Sequence, residues 1–141
     1  IFTMNPTCPI HKKSLKEDSV NITGKTKLVS KMWGKEEWLH LGDFCYKRIF
    51  IKAGTRTSLQ YHEFKEEVNY LISGEARVLI GEEWFDIEEN QYFYIPHGVI
   101  HRVEAITDVI LQEVSTPEID DCIRISDDYG RPSGRIESEH E

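Results

Sequence analysis

The sequence is poor in cysteine, in long apolar runs and in positive charge. It has three cysteines in 141 residues. These are Cys8, Cys45 and Cys122, far apart and without a CxxC pair. A disulfide framework is therefore not expected, and a reducing compartment is the simpler setting. Cys8 and His11 stand at a spacing that zinc sites sometimes use, but no second pair of ligands accompanies them. No run approaches the ~18–20 apolar residues of a membrane-spanning helix and no signal peptide is visible, so the cytoplasm is the expected address. Lysine and arginine number 17 against 25 acidic residues, a net charge of −8. Broad contact with nucleic acid or anionic membrane is excluded, because phosphates would be repelled. A small basic pocket for a phosphorylated ligand is not. The chain opens on Ile1 instead of Met, as a trimmed chain or a segment of something longer would.

What is present fits one domain with a wet, charged surface: 39% hydrophobic and 30% charged residues. Residues 1–31 are polar and lysine-rich and read as an N-terminal extension carrying at most a short strand. From residue 32 the character changes. Short β-branched and aromatic stretches alternate with Gly, Pro, Asn and Asp, predicting strands over 37–41, 46–52, 58–62, 67–73, 76–80, 91–95, 101–105 and 109–115. The best helical period, over 12–20, is weak. Ser73-Gly74 and Gly81-Glu82 can each close a hairpin, and Pro96-His97-Gly98 makes a turn between two strands. Residues 127–141 form a polar tail. Many short strands at close spacing give an all-β fold over 32–126, a sandwich or a closed barrel.

Chemistry concentrates between Gly54 and Gly74. Side chains two apart on a strand share a face, so Gln60 and His62 project together. Glu67 opens the next strand and can face the same interior, and His101 follows the Pro-x-Gly turn. Two imidazoles, an amide oxygen and a carboxylate suit one divalent metal ion: zinc foremost, then manganese, iron, cobalt or nickel. Four protein ligands leave one or two positions for substrate.

These spacings resemble the cupin family, marked by Gly-x5-His-x-His-x4-Glu-x6-Gly and Gly-x5-Pro-x-Gly-x2-His-x3-Asn. Gly54, Gln60, His62, Glu67 and Gly74 keep every interval of the first, with Gln in the first His slot. Asn90, Pro96, Gly98, His101 and Ala105 keep those of the second, with Asn and Ala at its ends. The resemblance implies a double-stranded β-helix, the jelly-roll barrel of a single cupin domain. Ser58-Leu59-Gln60-Tyr61-His62, Glu89-Asn90-Gln91, Tyr94-Ile95-Pro96-His97-Gly98 and His101-Arg102-Val103-Glu104 are similar to the cupin domain of bifunctional mannose-6-phosphate isomerase/mannose-1-phosphate guanylyltransferase enzymes. So are Met32-Trp33-Gly34 and the closing Asp127-Asp128-Tyr129-Gly130-Arg131. That family continues after its ligand histidine with His-His-Arg-x-Glu-His-Trp. Here the stretch reads Glu63-Phe64-Lys65-Glu66-Glu67-Val68-Asn69, acidic and apolar, with only Lys65 keeping a positive charge in the Arg slot. The family's nucleotidyltransferase part has no counterpart in these residues.

The resemblance implies a metal-dependent isomerase that interconverts aldose and ketose sugar phosphates, in nucleotide-sugar or polysaccharide supply. Its partner would be a small-molecule sugar phosphate, and a homodimer is expected of the family. Gln60 would then be a true ligand. The base that moves the proton stays open among Lys65, Glu104 and a metal-bound water. Arg48, Arg56, Lys65, Arg102, Arg124 and Arg131 are the cations that could grip a phosphate. Arg102 lies next to a ligand, although a regular strand would point it away from His101. Asn69 shares the face of Glu67 and is expected in the pocket. His97 is expected as a turn residue, His11, His40 and His140 at the surface, and Tyr61, Phe64, Tyr70, Tyr92 and Tyr94 as barrel packing. Two other readings stay open: another small-molecule cupin enzyme (a dioxygenase or an epimerase), and a non-catalytic sugar- or metal-binding module.

Overall fold

The computed structural model describes residues 26–136, and these are all strand, turn and loop. Twelve strands follow one another: β1 (Lys27–Lys31), β2 (Gly34–Leu41), β3 (Cys45–Ile51), β4 (Leu59–His62), β5 (Glu67–Ser73), β6 (Ala76–Ile80), β7 (Glu83–Ile87), β8 (Tyr92–Ile95), β9 (His101–Ala105), β10 (Val109–Ser115), β11 (Cys122–Ser126) and β12 (Gly134–Ile136). They form two six-stranded sheets, ordered β1-β2-β3-β10-β5-β8 and β12-β11-β4-β9-β6-β7. Among the described residues no helix is long and apolar enough to cross a membrane. Cys8 and His11, the weak helical window over 12–20, and His140 lie outside the described residues.

Alternation builds both sheets. Along β3, Cys45, Lys47, Ile49 and Ile51 are buried while the residues between them are half-buried. The main core joins Ile51, Leu71, Ile95 and Leu111 of the first sheet to Val78, Val103 and Ala105 of the second. Strand β5 inverts the usual order: polar Glu67 and Asn69 point inward, and Val68 and Tyr70 point to solvent. This corrects the expectation that the aromatics pack inside the barrel. Tyr92 is 68% exposed and Phe64 64%, and Tyr70 and Tyr94 are exposed as well. Only Tyr61 of that group is half-buried.

One of the two expected hairpin turns differs in its partners. Gly81 does close the β6–β7 hairpin, but Ser73-Gly74 carries the chain from one sheet to the other, since β5 pairs with β10 and β8. Gly74 has a φ of 96°, and a Cβ there would lie 2.2 Å from the Asp108 carbonyl oxygen, so only glycine fits. The sheets also extend past residues 32–126, with β1 paired to β2 and β12 to β11.

Leu71 is fully buried, so Leu71→Ala should cost about 2–5 kcal/mol in urea unfolding. Tyr92→Ser should stay within about 0.5 kcal/mol of the parent chain. Equal losses in the two would contradict the outward placement of the β8 tyrosines.

Candidate metal centre

Three strands from both sheets meet at one point. His62 ends β4, His101 begins β9 in the same sheet, and Glu67 begins β5 in the facing sheet. Gln60 pairs with His101 across β4 and β9. The turn before β9 is fixed by Gly98, whose N–H donates to the His62 carbonyl at 2.6 Å. Its φ of 77° again suits glycine.

Each imidazole is oriented through Nδ1. His62 Nδ1 lies 2.9 Å from the Asp121 carbonyl oxygen and His101 Nδ1 2.9 Å from that of Val99. A carbonyl carries no proton, so each Nδ1 is the donor and each neutral ring presents a lone pair at Nε2. Both Nε2 atoms are buried, and that of His62 has no hydrogen-bond partner. His101 Nε2 sits 3.1 Å from Glu67 Oε1, and His62 Nε2 sits 4.0 Å from the same oxygen. One donor atom from each of the three residues lies within 4.8 Å of the others. Two imidazole nitrogens pinned from behind, with a carboxylate oxygen facing them, fit a borderline divalent ion well. Gln60 lines the same cavity, where its amide oxygen accepts from Ser58 Oγ at 2.8 Å and from Cys122 Sγ at 3.1 Å. Cys122 and Cys45 are free thiols.

Burial pushes the His62 pKa down to about 4. Burial acts on His101 in the same sense, but Glu67 beside it prevails and holds its pKa above the usual value. Burial alone would raise Glu67; Lys65, with Glu113 and His101, outweighs it and holds the carboxyl well below its usual range.

Lys65 reaches the site and is buried, with Nζ 3.5 Å from Glu67 Oε2 and 3.6 Å from Glu113 Oε2. Asn69 lines the cavity as expected. Arg102 and Glu104 are not brought to the centre, which corrects their expected catalytic placement. They alternate with His101 and Val103 along β9, so they leave its other face. Arg102 Nε donates to the Thr57 carbonyl at 3.0 Å, and its guanidinium lies 3.5 Å from Asp128. The remaining phosphate-gripping candidates are engaged within the chain, although Arg131 also lines the cavity. Arg56 pairs with Asp128, Arg131 with Asp127, Arg48 with Glu37, and Arg124 donates to the Pro132 carbonyl. His97 sits exposed in its turn beside Glu66.

Four buried polar residues were missed from sequence. Glu36, Lys47 and Glu113 line the cavity, and Asp121 supports it from outside. Lys47 and Glu113 occupy inward positions of period-two strands, a signal that alternation alone could have given. Burial and then the Glu67 charge push Glu113 up to about 7. The Asp121 carboxylate accepts the N–H groups of Glu63, Phe64 and Lys65 at 3.1, 2.6 and 2.9 Å. No local motif announces that role.

Residues 18–127 match the family model described as mannose-6-phosphate isomerase C-terminal. The chain belongs to this family. Some of its relatives are named for sugar-polymer biosynthesis. The chain is 38% identical over 109 residues to a xanthan biosynthesis protein, XanB, of Xanthomonas campestris, covering 73% of this chain and 23% of that protein. It is 35% identical over 109 residues to mannose-1-phosphate guanylyltransferase ManC of Salmonella typhimurium, again covering 73% and 23%. The chain therefore spans about a quarter of the length of these relatives. A cupin-2 domain of Rhodospirillum rubrum superposes with a TM-score of 0.64 at 12% identity, over 72% of this chain and 76% of that one. That likeness gives the fold: this member of the isomerase C-terminal family is an all-β cupin.

Burial works against the Asp121 carboxylate, but the N–H groups of Phe64, Lys65 and Glu63, with Arg135, outweigh it and lower its pKa. A depressed carboxyl stabilises the fold above its unfolded pKa of about 3.9, and that contribution is lost as pH falls through the lower folded value. Asp121→Asn should therefore be less stable than the parent at neutral pH, with the gap closing as pH drops below about 4. A gap that persists to low pH in urea titrations would assign Asp121 no such role.

Proposed function

We propose that the chain is a metal-dependent aldose–ketose isomerase of sugar phosphates, mannose-6-phosphate isomerase-like, serving nucleotide-sugar or polysaccharide supply. The observation that carries this reading is the pair of buried Nε2 atoms that converge on Glu67, in a chain of the isomerase C-terminal family. Relatives named for xanthan biosynthesis and mannose-1-phosphate guanylyl transfer support the pathway class. When bound, a divalent ion, zinc foremost, supplies a Lewis acid that polarises the sugar carbonyl. His62, Glu67 and His101 hold it, and Gln60 joins them if its amide oxygen turns from Ser58 and Cys122. A proton must also pass between carbons one and two of the sugar. Glu104 leaves the wrong face of β9 for that task. Apart from the two imidazoles, Lys65 and Glu113 are titratable side chains beside Glu67, so the transfer falls to them or to water.

A second reading, a binding module without turnover, is favoured by one observation. The cavity measures about 60 Å³, against the ~300–1,000 Å³ of ordinary small-molecule sites. It takes an ion and the reacting end of a sugar, not a whole hexose phosphate.

Elemental analysis of the purified chain should find about one divalent metal per chain, lost in His62→Ala. The loaded chain should interconvert mannose 6-phosphate and fructose 6-phosphate. Metal without turnover on any sugar phosphate would select the binding module, and turnover by metal-free His62→Ala would sink the isomerase mechanism.

A further inference from the structure

Six ionic side chains cross the barrel interior in alternating sign. Lys31 of β1 lies 3.5 Å from Glu36 of β2, which takes Lys47 of β3 at 2.7 Å. Lys47 lies 3.3 Å from Glu113 of β10. Lys65, in the turn before β5, stands between Glu113 and Glu67 at 3.6 and 3.5 Å. Each of these side chains is at most 8% exposed. The row follows the strand order of the first sheet and ends at the two imidazoles. A charge stripped of water costs several kcal/mol unless it is met by an opposite one. Each member is therefore committed to its neighbours, and none can turn without uncovering another.

We propose that Lys65, held from behind by Glu113, which also takes Lys47, is a positioning residue that makes Glu67 bind a cation through Oε1 alone. The inference rests on the metal-site reading and is independent of the isomerase reaction. The geometry is directional. Lys65 Nζ faces Oε2 at 3.5 Å, whereas Oε1 faces the imidazoles at 3.1 and 4.0 Å. An ammonium at Oε2 repels a second cation from that oxygen, so chelation by both oxygens is opposed. Ligation through one oxygen leaves a further coordination position for a substrate oxygen. Glu113 shares Lys65 and limits how firmly the ammonium competes for Glu67. With the Glu113 charge removed, Lys65 has Glu67 as its remaining carboxylate and competes with the metal.

Cobalt(II) titration of the full chain, read by visible absorption and by calorimetry, tests this. Lys65→Met should bind cobalt with a shifted d–d spectrum as the second carboxylate oxygen joins, and Lys65→Arg should restore the parent spectrum. Glu113→Gln, which keeps the shape, should weaken cobalt affinity roughly tenfold, the scale of losing an outer partner of a ligand. A parent-like spectrum in Lys65→Met would overturn the proposal. If circular dichroism finds Lys65→Met unfolded, unchanged affinity in Glu113→Gln overturns it instead. Failure of the parent chain to bind cobalt would overturn the metal site itself, a result distinct from either variant outcome.

Discussion

A charge removed from water must be met by an opposite charge or by hydrogen bonds, and the interior of this barrel is arranged around that need. Glu36, Lys47, Glu113, Lys65 and Glu67 all lie inside. They fill space that Leu or Val would fill in a sheet with one dry face. Their pairing explains why Lys47 and Lys65 have raised pKa values although burial acts to lower them. The apolar core is pushed toward the part of the barrel around Leu71, Val78 and Ile95, and the polar half becomes the cavity.

The metal centre depends on the same closure. No single strand holds it: Glu67 comes from one sheet and both histidines from the other. Backbone carbonyls of Asp121 and Val99 select the tautomer in which both Nε2 atoms face inward. Asp121 thereby links the C-terminal half of the chain to the ligand turn, because its carboxylate also gathers the N–H groups of residues 63–65.

The departures from the resembling family look different once placed. The acidic and apolar replacements at Glu63 and Phe64 fall on the surface, where Glu63 pairs with Arg135 and Phe64 meets solvent. Lys65, beside them, turns inward and pairs with Glu67 and Glu113. Asn69, in the slot of the family's Trp, faces the cavity and leaves it more polar. The acidic and apolar replacements are thus largely an altered outer turn, and the inward positions keep a coherent set of charges.

Most strands were legible because one face is buried and the other wet, which writes a period of two into residues 45–51 or 109–115. Strand β7 was not, since it is an edge with no buried face. β1 and β12 are short edge strands whose pairing comes from partners elsewhere in the chain. The aromatics of β5 and β8 misled because size and apolarity suggest packing, whereas inward Glu67 and Asn69 had already claimed the other face. The sequence by itself determined the all-β class, and strand alternation together with the cupin-like motif spacing pointed to Gln60, His62, Glu67 and His101, which line one cavity. Tertiary structure alone decided the rest: that Arg102 meets Asp128, and that Asp121 holds the ligand turn. It also decided that Lys31, Glu36, Lys47, Glu113, Lys65 and Glu67 form one row. Those partners lie far apart along the chain, and their neighbourhood exists only when the two sheets close.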